Sequence, residues 1–311
     1  MSKPPILVVA GPTAVGKTAF AIELAEKFNG EIVSCDSMQL YKYMDIGSAK
    51  PDKTERSMAV HHLVDFLDPR DDFSVAEYQK LALAAIKDII SRGKLPIISG
   101  GTGLYLNSIL YNMDFAYAPK NVQYRMQLTD IAEGENPELL HEMLAEKDPE
   151  AAKLIHPNNN KKIIRALERL KEGEDRIHRF SDIQAENGNF VPLLLGLTRD
   201  RVELYERINL RVDKLIEAGL IDEVKSLMEM GLTSDDISMK GIGYKEIIGF
   251  LNGEISFDES VDLIKKNTRH YAKRQLTWLR RYDKMNWVNL SEYLNDNDAL
   301  EDIFEWVSRN L

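Results

Sequence analysis

Pro5-Ile6-Leu7-Val8-Val9-Ala10-Gly11-Pro12-Thr13-Ala14-Val15-Gly16-Lys17-Thr18 is the stretch on which the fold turns. Its first six residues are short, apolar and largely β-branched, which predicts a strand buried on both faces of a parallel sheet. Gly11 to Thr18 then match G-x-x-x-x-G-K-[ST], and Lys17 to Ala25 continue as a helix that Gly30 stops. Glycines in such a loop let backbone N–H groups converge on phosphate oxygens, and the helix N-terminus adds positive partial charge. Lys17 reaches the terminal phosphate, and the Thr18 hydroxyl is a candidate ligand for Mg²⁺. The loop predicts a diphosphate or triphosphate ligand held by Gly11, Pro12, Thr13, Ala14, Val15, Gly16, Lys17 and Thr18, without saying which.

Outward from the loop, Glu31 to Cys35 reads as a second strand, Val75 to Ser91 as an amphipathic helix and Leu95 to Ser99 as a third strand. Strands alternating with helices predict an α/β fold: a parallel sheet of the P-loop kind, flanked by helices. From about Ala116 only helices are expected, opening at Asn136-Pro137-Glu138, at Asp148-Pro149-Glu150 and at Asn158. Val191 to Leu197 is again a sheet strand. This predicts a core begun by residues 1–115, an all-helical insertion at 116–190, and a return to the core at 191–311. The last part carries helices over Arg201 to Ala218, Leu220 to Met230 and Ser256 to about Tyr282, a strand at Met285 to Leu290 and a terminal helix near Asp298.

The 311 residues are 44% hydrophobic and 29% charged, which excludes a disordered or fibrous chain. No apolar run near the start approaches the ~20 residues that span a bilayer, and Met1 to Pro5 lacks the basic region of a secretory leader. Cys35 is the single cysteine, so neither an internal disulfide nor a cysteine zinc site is available and a cytoplasmic protein is expected. Forty Lys plus Arg against fifty Asp plus Glu give a net charge of −10, at face value an argument against a nucleic-acid partner. The charge is unevenly distributed, however. Asp130 to Glu150 holds eight acids and one lysine, whereas Lys265 to Arg281 holds seven Lys or Arg and no acid. On a helix, Lys266, Arg269, Lys273 and Arg280 fall close to one face while Tyr271, Trp278 and Leu279 pack inward. Such a run is either a solvated face or a surface for a phosphate backbone. A lesser basic cluster lies at Lys161, Lys162, Arg165 and Arg169.

An ATP-hydrolysing P-loop protein needs an acidic residue at the end of a neighbouring strand to hold Mg²⁺. Here the third strand runs into Gly100-Gly101-Thr102-Gly103, and Leu63-Val64-Asp65 is a weak substitute, so the loop is expected to serve another diphosphate. Asp36 directly follows the second strand, at the carboxyl edge where open α/β sheets bind ligands. Two roles are open to it: general base beside the phosphates, or cap of the next turn. Cys35, on the opposite face, reads as a core residue, and His61 and His62 with Asp65 read as structural rather than metal-binding.

Together, Gly11 to Thr18, Asp36-Ser37-Met38-Gln39-Leu40-Tyr41, Met44 to Pro51, His61-His62-Leu63-Val64-Asp65, Gly100 to Tyr105, Arg165-Ala166-Leu167-Glu168 and Lys273-Arg274-Gln275-Leu276-Thr277-Trp278-Leu279-Arg280 resemble, in order and over nearly the whole chain, the bacterial tRNA dimethylallyltransferases. The resemblance implies transfer of a dimethylallyl group from dimethylallyl diphosphate to the exocyclic amine of the adenosine just 3′ of the anticodon, with release of diphosphate. It implies that the loop holds the donor with Mg²⁺, that Asp36 is the general base, that Gln39, with its neighbours Ser37 and Met38, meets the anticodon loop, and that Thr102 lies beside the target nucleotide and donor. It implies further that Lys17 and Arg207 stabilise the leaving group, and that Arg125 and Lys161 to Arg165 touch tRNA. Arg269, Lys273, Arg274 and Arg280 would then be backbone contacts. The chain departs from the family's P-x-D-x-x-R pattern by Asn159 and Lys162, and a lysine lacks the bidentate fork of arginine. The competing expectations are an adenylate isopentenyltransferase acting on free AMP, ADP or ATP, a P-loop kinase or NTPase, and a non-catalytic RNA-binding module.

Overall fold

A computed structural model describes residues 3–113, 121–134, 136–173 and 185–311. In chain order these form β1 (Pro5–Ala10), α1 (Lys17–Lys27), β2 (Gly30–Cys35), α2 (Lys53–Met58), β3 (His61–His62), α3 (Val75–Ser91), β4 (Leu95–Gly100) and α4 (Gly103–Leu110). Then come α5 (Val122–Glu133), α6 (Leu139–Lys147), α7 (Pro149–Leu154) and α8 (Asn160–Lys171). They are followed by β5 (Val191–Thr198), α9 (Arg201–Glu217), α10 (Leu220–Glu229), α11 (Tyr244–Leu251), α12 (Phe257–Leu279), β6 (Asn286–Asn289) and α13 (Asp296–Asn310). The sheet is parallel throughout, in the order β3-β2-β4-β1-β5-β6.

β1 lies between β4 and β5, with Leu7 opposite Ile97 on one side and Leu193 on the other. The loop after β1 therefore opens at the point where successive connections leave in opposite directions, the position at which such sheets bind ligands. Alternation along the strands sends Leu7, Val9, Ile32, Ile97, Leu195 and Leu197 into a core shared with Phe20, Ala21 and Leu24 of α1 and Ile303 and Val307 of α13. Ile6, Val8, Val33 and Ile98 point the other way and are equally buried, so both faces of the sheet are covered. A second core joins Met44 of the segment after β2 to Val212, Leu220, Val224, Leu227 and Ile247 of α9, α10 and α11.

The chain forms two compact units, Met1–Leu110 with Asn187–Leu311, and Tyr111–Glu186. The second unit falls where a helical insertion is expected at 116–190, with limits at Tyr111 and Glu186, and Ala116 lies outside the described residues. An antiparallel bridge between Tyr111 and Glu186 closes its base, and Asn112 donates its N–H to the Ala185 carbonyl. The unit has its own core of Leu128, Leu140, Leu144, Ile163, Ala166 and Leu167. Each leucine buried there contributes about 2 kcal/mol relative to exposure.

Candidate active site

The β1–α1 loop is shaped for an anion by its own backbone. Ala14 (φ 65°) and Gly16 (φ 117°) take left-handed conformations, which turn successive N–H groups toward one side. Gly11 has no room for a side chain, since a Cβ there would lie 2.6 Å from the Leu197 carbonyl oxygen. The outward peptide groups are then tied down one by one. The Ala14 carbonyl accepts Arg207 Nε at 3.1 Å and the Val15 carbonyl accepts Arg199 Nε at 3.2 Å. Thr13 N–H donates to Gln275 Oε1 at 2.8 Å, and Lys17 Nζ donates to the Pro12 carbonyl at 2.8 Å. Arg199 is itself fixed by Glu203 at 2.6 Å and Asp296 at 2.5 Å. Arg207 thus adjoins the anion loop and braces it through its Nε.

Burial pulls the Lys17 ammonium down to about pKa 8. The Asp36 carboxylate partly offsets this and the Arg211 guanidinium adds to it. Arg211, one helical turn beyond Arg207 on α9, is the cation that sequence reasoning missed. It lines the same cavity as Asp36 and Thr13, and burial holds its own pKa below the usual value while Asp36 opposes that shift. Its i+4 spacing from Arg207 on a predicted helix was the available signal.

Asp36 and Thr102 are brought together at the carboxyl ends of β2 and β4. Asp36 Oδ1 accepts the Met38 N–H at 2.9 Å, so the carboxylate does cap its turn while remaining on the wall of a cavity of about 440 Å³. Thr102 Oγ1 accepts the Ser37 N–H at 3.3 Å, and Thr102 N–H donates to the Cys35 carbonyl at 3.2 Å. Cys35 is buried and its thiol is pushed up to about 12, which makes it the inert core residue expected. Tyr271, from α12, is hydrogen-bonded to the Thr102 side chain. Burial, with Asp36 adding to it, raises its phenol to about 12, so it stays neutral. Met38, Tyr105 and Arg274 complete this part of the wall.

The segment that carries Asp36 to Pro51 is held rigidly from outside. Glu223 of α10 accepts N–H groups from Asp45 (2.8 Å), Ile46 (2.7 Å) and Gly47 (2.9 Å), and the Tyr244 hydroxyl at 2.8 Å. Buried Lys50 donates to the Tyr41 carbonyl at 2.7 Å, Asp45 at 2.5 Å and Asp65 at 2.9 Å. Asp65 is thereby a structural ion-pair partner, and His62 pairs with Glu31 at 2.7 Å. Gln39 is also engaged internally, with its amide bonded to Ser34 Oγ at 3.1 Å and the Ala49 carbonyl at 3.3 Å.

The basic stretch runs through the second half of α12 to Arg280 and Arg281 just beyond its end, and its cations differ in exposure. Arg269 is half-buried and donates to Asn209 Oδ1 at 2.6 Å, because α12 packs along α9 there, and Lys265 pairs with Asp213 at 2.6 Å. Lys273, Arg274, Arg280 and Arg281 are exposed with His270. Lys273, Arg274 and Arg281 line one open cleft with Trp278, and Lys273 and Arg280 line another with Arg199 and Arg201.

Within the helical unit, Lys161, Lys162 and Arg165 are exposed at the start of α8. Arg125 is occupied by a bidentate pair with buried Glu168, at 2.6 Å to each oxygen. Asn159, one of the two departures from the family pattern, caps α8 by accepting the Lys162 N–H at 3.3 Å, a role for which asparagine and aspartate are equivalent.

Among the described residues no three His, Cys, Asp or Glu side chains converge as a metal cluster. The half-buried Thr18 hydroxyl in the first turn of α1 is a single oxygen donor beside the anion loop. That donor set fits Mg²⁺, which keeps waters and draws most ligands from substrate phosphates, and does not fit zinc or a protein cage for calcium. No helix among the described residues is long and apolar enough to cross a membrane.

The sequence profile of the IPP transferase family matches residues 39–282. A tRNA dimethylallyltransferase from Alkaliphilus oremlandii is 49% identical over 305 residues, covering 98% of this chain and 96% of that protein. The full-length tRNA isopentenylpyrophosphate transferase of Bacillus halodurans superimposes with a TM-score of 0.74 at 39% identity, covering 99% of this chain and 96% of that one. A eukaryotic dimethylallyltransferase acting on tRNA gives a TM-score of 0.79 at 30% identity, covering 92% and 74%.

Proposed function

Because the chain belongs to the IPP transferase family, we propose that it transfers a dimethylallyl group from dimethylallyl diphosphate to the N6 amine of the tRNA adenosine 3′-adjacent to the anticodon, releasing diphosphate. The observation that carries this reading is the placement of Asp36 on a cavity that it shares with Thr13 of the anion loop, with Thr102, bonded to the lining residue Ser37, in the loop after β4 where a hydrolase would carry its metal-binding acid. The amine nitrogen forms its bond to the allylic C1 as the C1–O bond to diphosphate breaks. Asp36 accepts the proton the amine loses, and its second oxygen is available because only Oδ1 is bound to the Met38 N–H.

Lys17 leaves the Pro12 carbonyl for the diphosphate, and Arg211 and the loop N–H groups add to stabilisation of the leaving group. Thr18 would hold Mg²⁺, whose charge neutralises the departing diphosphate when the ion is bound. A stacked base cannot reach this cavity, so the adenosine must be extruded, and an unpaired anticodon loop lowers that cost. We assign the exposed Lys273, Arg274 and Arg280 to the phosphate backbone, with Lys161, Lys162 and Arg165 as further contacts. A tRNA acceptor implies the cytoplasm as the place of work.

The test is an acceptor comparison with dimethylallyl diphosphate and Mg²⁺. An unmodified anticodon stem-loop should be prenylated and free AMP should not. Labelling of AMP with the stem-loop untouched would transfer the chain to the adenylate isopentenyltransferases, and ATP turnover without prenyl donor would make it an NTPase.

A further inference from the structure

The side chain of Gln275 is 5% exposed and joins two loops that reach the site from different strands. Its Oε1 accepts the Thr13 N–H of the anion loop, and its Nε2 donates at 3.1 Å to the Gly101 carbonyl of the loop after β4. Gly101 is a glycine because of this contact, since a Cβ there would lie 2.2 Å from Gln275 Nε2 and 2.9 Å from the Gly11 carbonyl oxygen. One turn before, Tyr271 bonds Thr102. One turn after, Trp278 lies where a Cβ on Gly103 would come within 2.3 Å of its ring. A single face of α12, at i, i+4 and i+7, therefore meets Thr102, Gly101 and Gly103 respectively.

Building on the transfer reaction proposed above, we propose that Gln275 is a positioning residue that fixes the anion loop and the Gly101–Thr102 loop at the spacing the reaction needs. The anion loop holds the leaving group and Thr102 borders the acceptor, so their separation sets the approach of amine nitrogen to allylic carbon. Gln275 also removes one loop amide, that of Thr13, from the set free to bind anion. The neighbouring Lys273 and Arg274 face solvent on the same helix, so the helix that frames the chemistry also carries the basic surface.

Gln275→Met keeps the volume and can make neither bond. Gln275→Glu keeps the acceptor, and regains the donor only when its carboxyl is protonated. In the full-length protein, the Met variant should melt cooperatively and bind the anticodon stem-loop within twofold of wild type. Its single-turnover rate should fall about tenfold to a hundredfold, as expected for a misplacement of reacting groups of the order of an ångström, and calorimetry should show weakened binding of inorganic diphosphate with Mg²⁺. The Glu variant's rate, relative to wild type, should recover as pH is lowered. Wild-type rate and wild-type diphosphate affinity in a folded Met variant would overturn the proposal, as would loss of stem-loop affinity with an unchanged rate at saturating RNA. If the Met variant does not fold, a Glu variant whose rate relative to wild type is independent of pH overturns it. Diphosphate affinity is read without prenyl transfer, so failure of wild type to prenylate RNA sinks the transfer reaction and leaves the positioning role to be decided by calorimetry.

Discussion

Replacing Lys17 by methionine should make the free protein more stable while destroying donor binding. The folded-state pKa of Lys17 is about 8 against 10.5 for the free side chain, chiefly because burial disfavours its charge. A lysine whose pKa is lowered by folding is charged in both states below the folded value, so the desolvation cost is fully present at neutral pH. As pH rises from 8 toward 10.5 the native state releases the proton first and the cost disappears, so stability rises with pH in that window. At about pH 7 the cost is about 3 kcal/mol, falling by roughly 2 kcal/mol by about pH 9.5. The hydrogen bond from Nζ to the Pro12 carbonyl offsets about 1 kcal/mol of the gain from removing it. Lys17→Met should therefore stabilise the core by about 2 kcal/mol at neutral pH, a rise of about 4 °C or more in the midpoint of thermal unfolding. Melts of wild type and variant across this pH range should show the advantage shrinking as pH increases, and calorimetry should show no diphosphate binding by the variant. A variant less stable than wild type at pH 7, or an advantage that does not change with pH, would refute the reasoning.

Asp36→Asn should lower the single-turnover rate by about 10²–10⁴-fold, the range of a lost general base, with stem-loop and diphosphate affinities measured by titration changed only a few fold. Loss of stem-loop binding alone would reassign Asp36 to recognition. Reversing the charge of Lys273 and Arg274 should weaken stem-loop binding and reduce the slope of log affinity against log salt by about two; an unchanged slope demotes this face to solvated surface. Arg125→Ala should destabilise the helical unit by about 2 kcal/mol, because it strands buried Glu168, with the exposure of Arg125 discounting the full cost of a broken buried pair. An unchanged melt with weakened RNA binding would make Arg125 an RNA contact rather than a strut.

The sheet was legible because β1, β2 and β4 are short, largely apolar runs that lead into a glycine or an acid at the carboxyl edge, and β5 is an apolar run of the same kind. The helices over Val75–Ser91 and Arg201–Glu217 announce themselves by apolar spacing. Val122–Glu133 was overlooked although Tyr124, Leu128 and Ile131 repeat at i, i+4 and i+7, and Lys53–Met58 was overlooked although Asp52 and Glu55 form a capping box. His61–His62 makes a strand of two residues, too short for any periodicity to register. At the site, the anion loop and Asp36 could be found from local pattern and edge position. Gln275 and Arg199 could not, since their partners are backbone atoms 262 and 184 residues away and no spacing encodes them. The net charge of −10 pointed away from RNA because it averages an acidic helical segment with a basic α12.

The most direct measurement is transfer of a labelled dimethylallyl group to bulk tRNA lacking the modification, followed by digestion and nucleoside analysis. The account predicts label solely as N6-dimethylallyladenosine at the position 3′ to the anticodon, dependent on Mg²⁺ and absent with Asp36→Asn. Label at another nucleoside, or transfer that survives loss of Asp36, would contradict it.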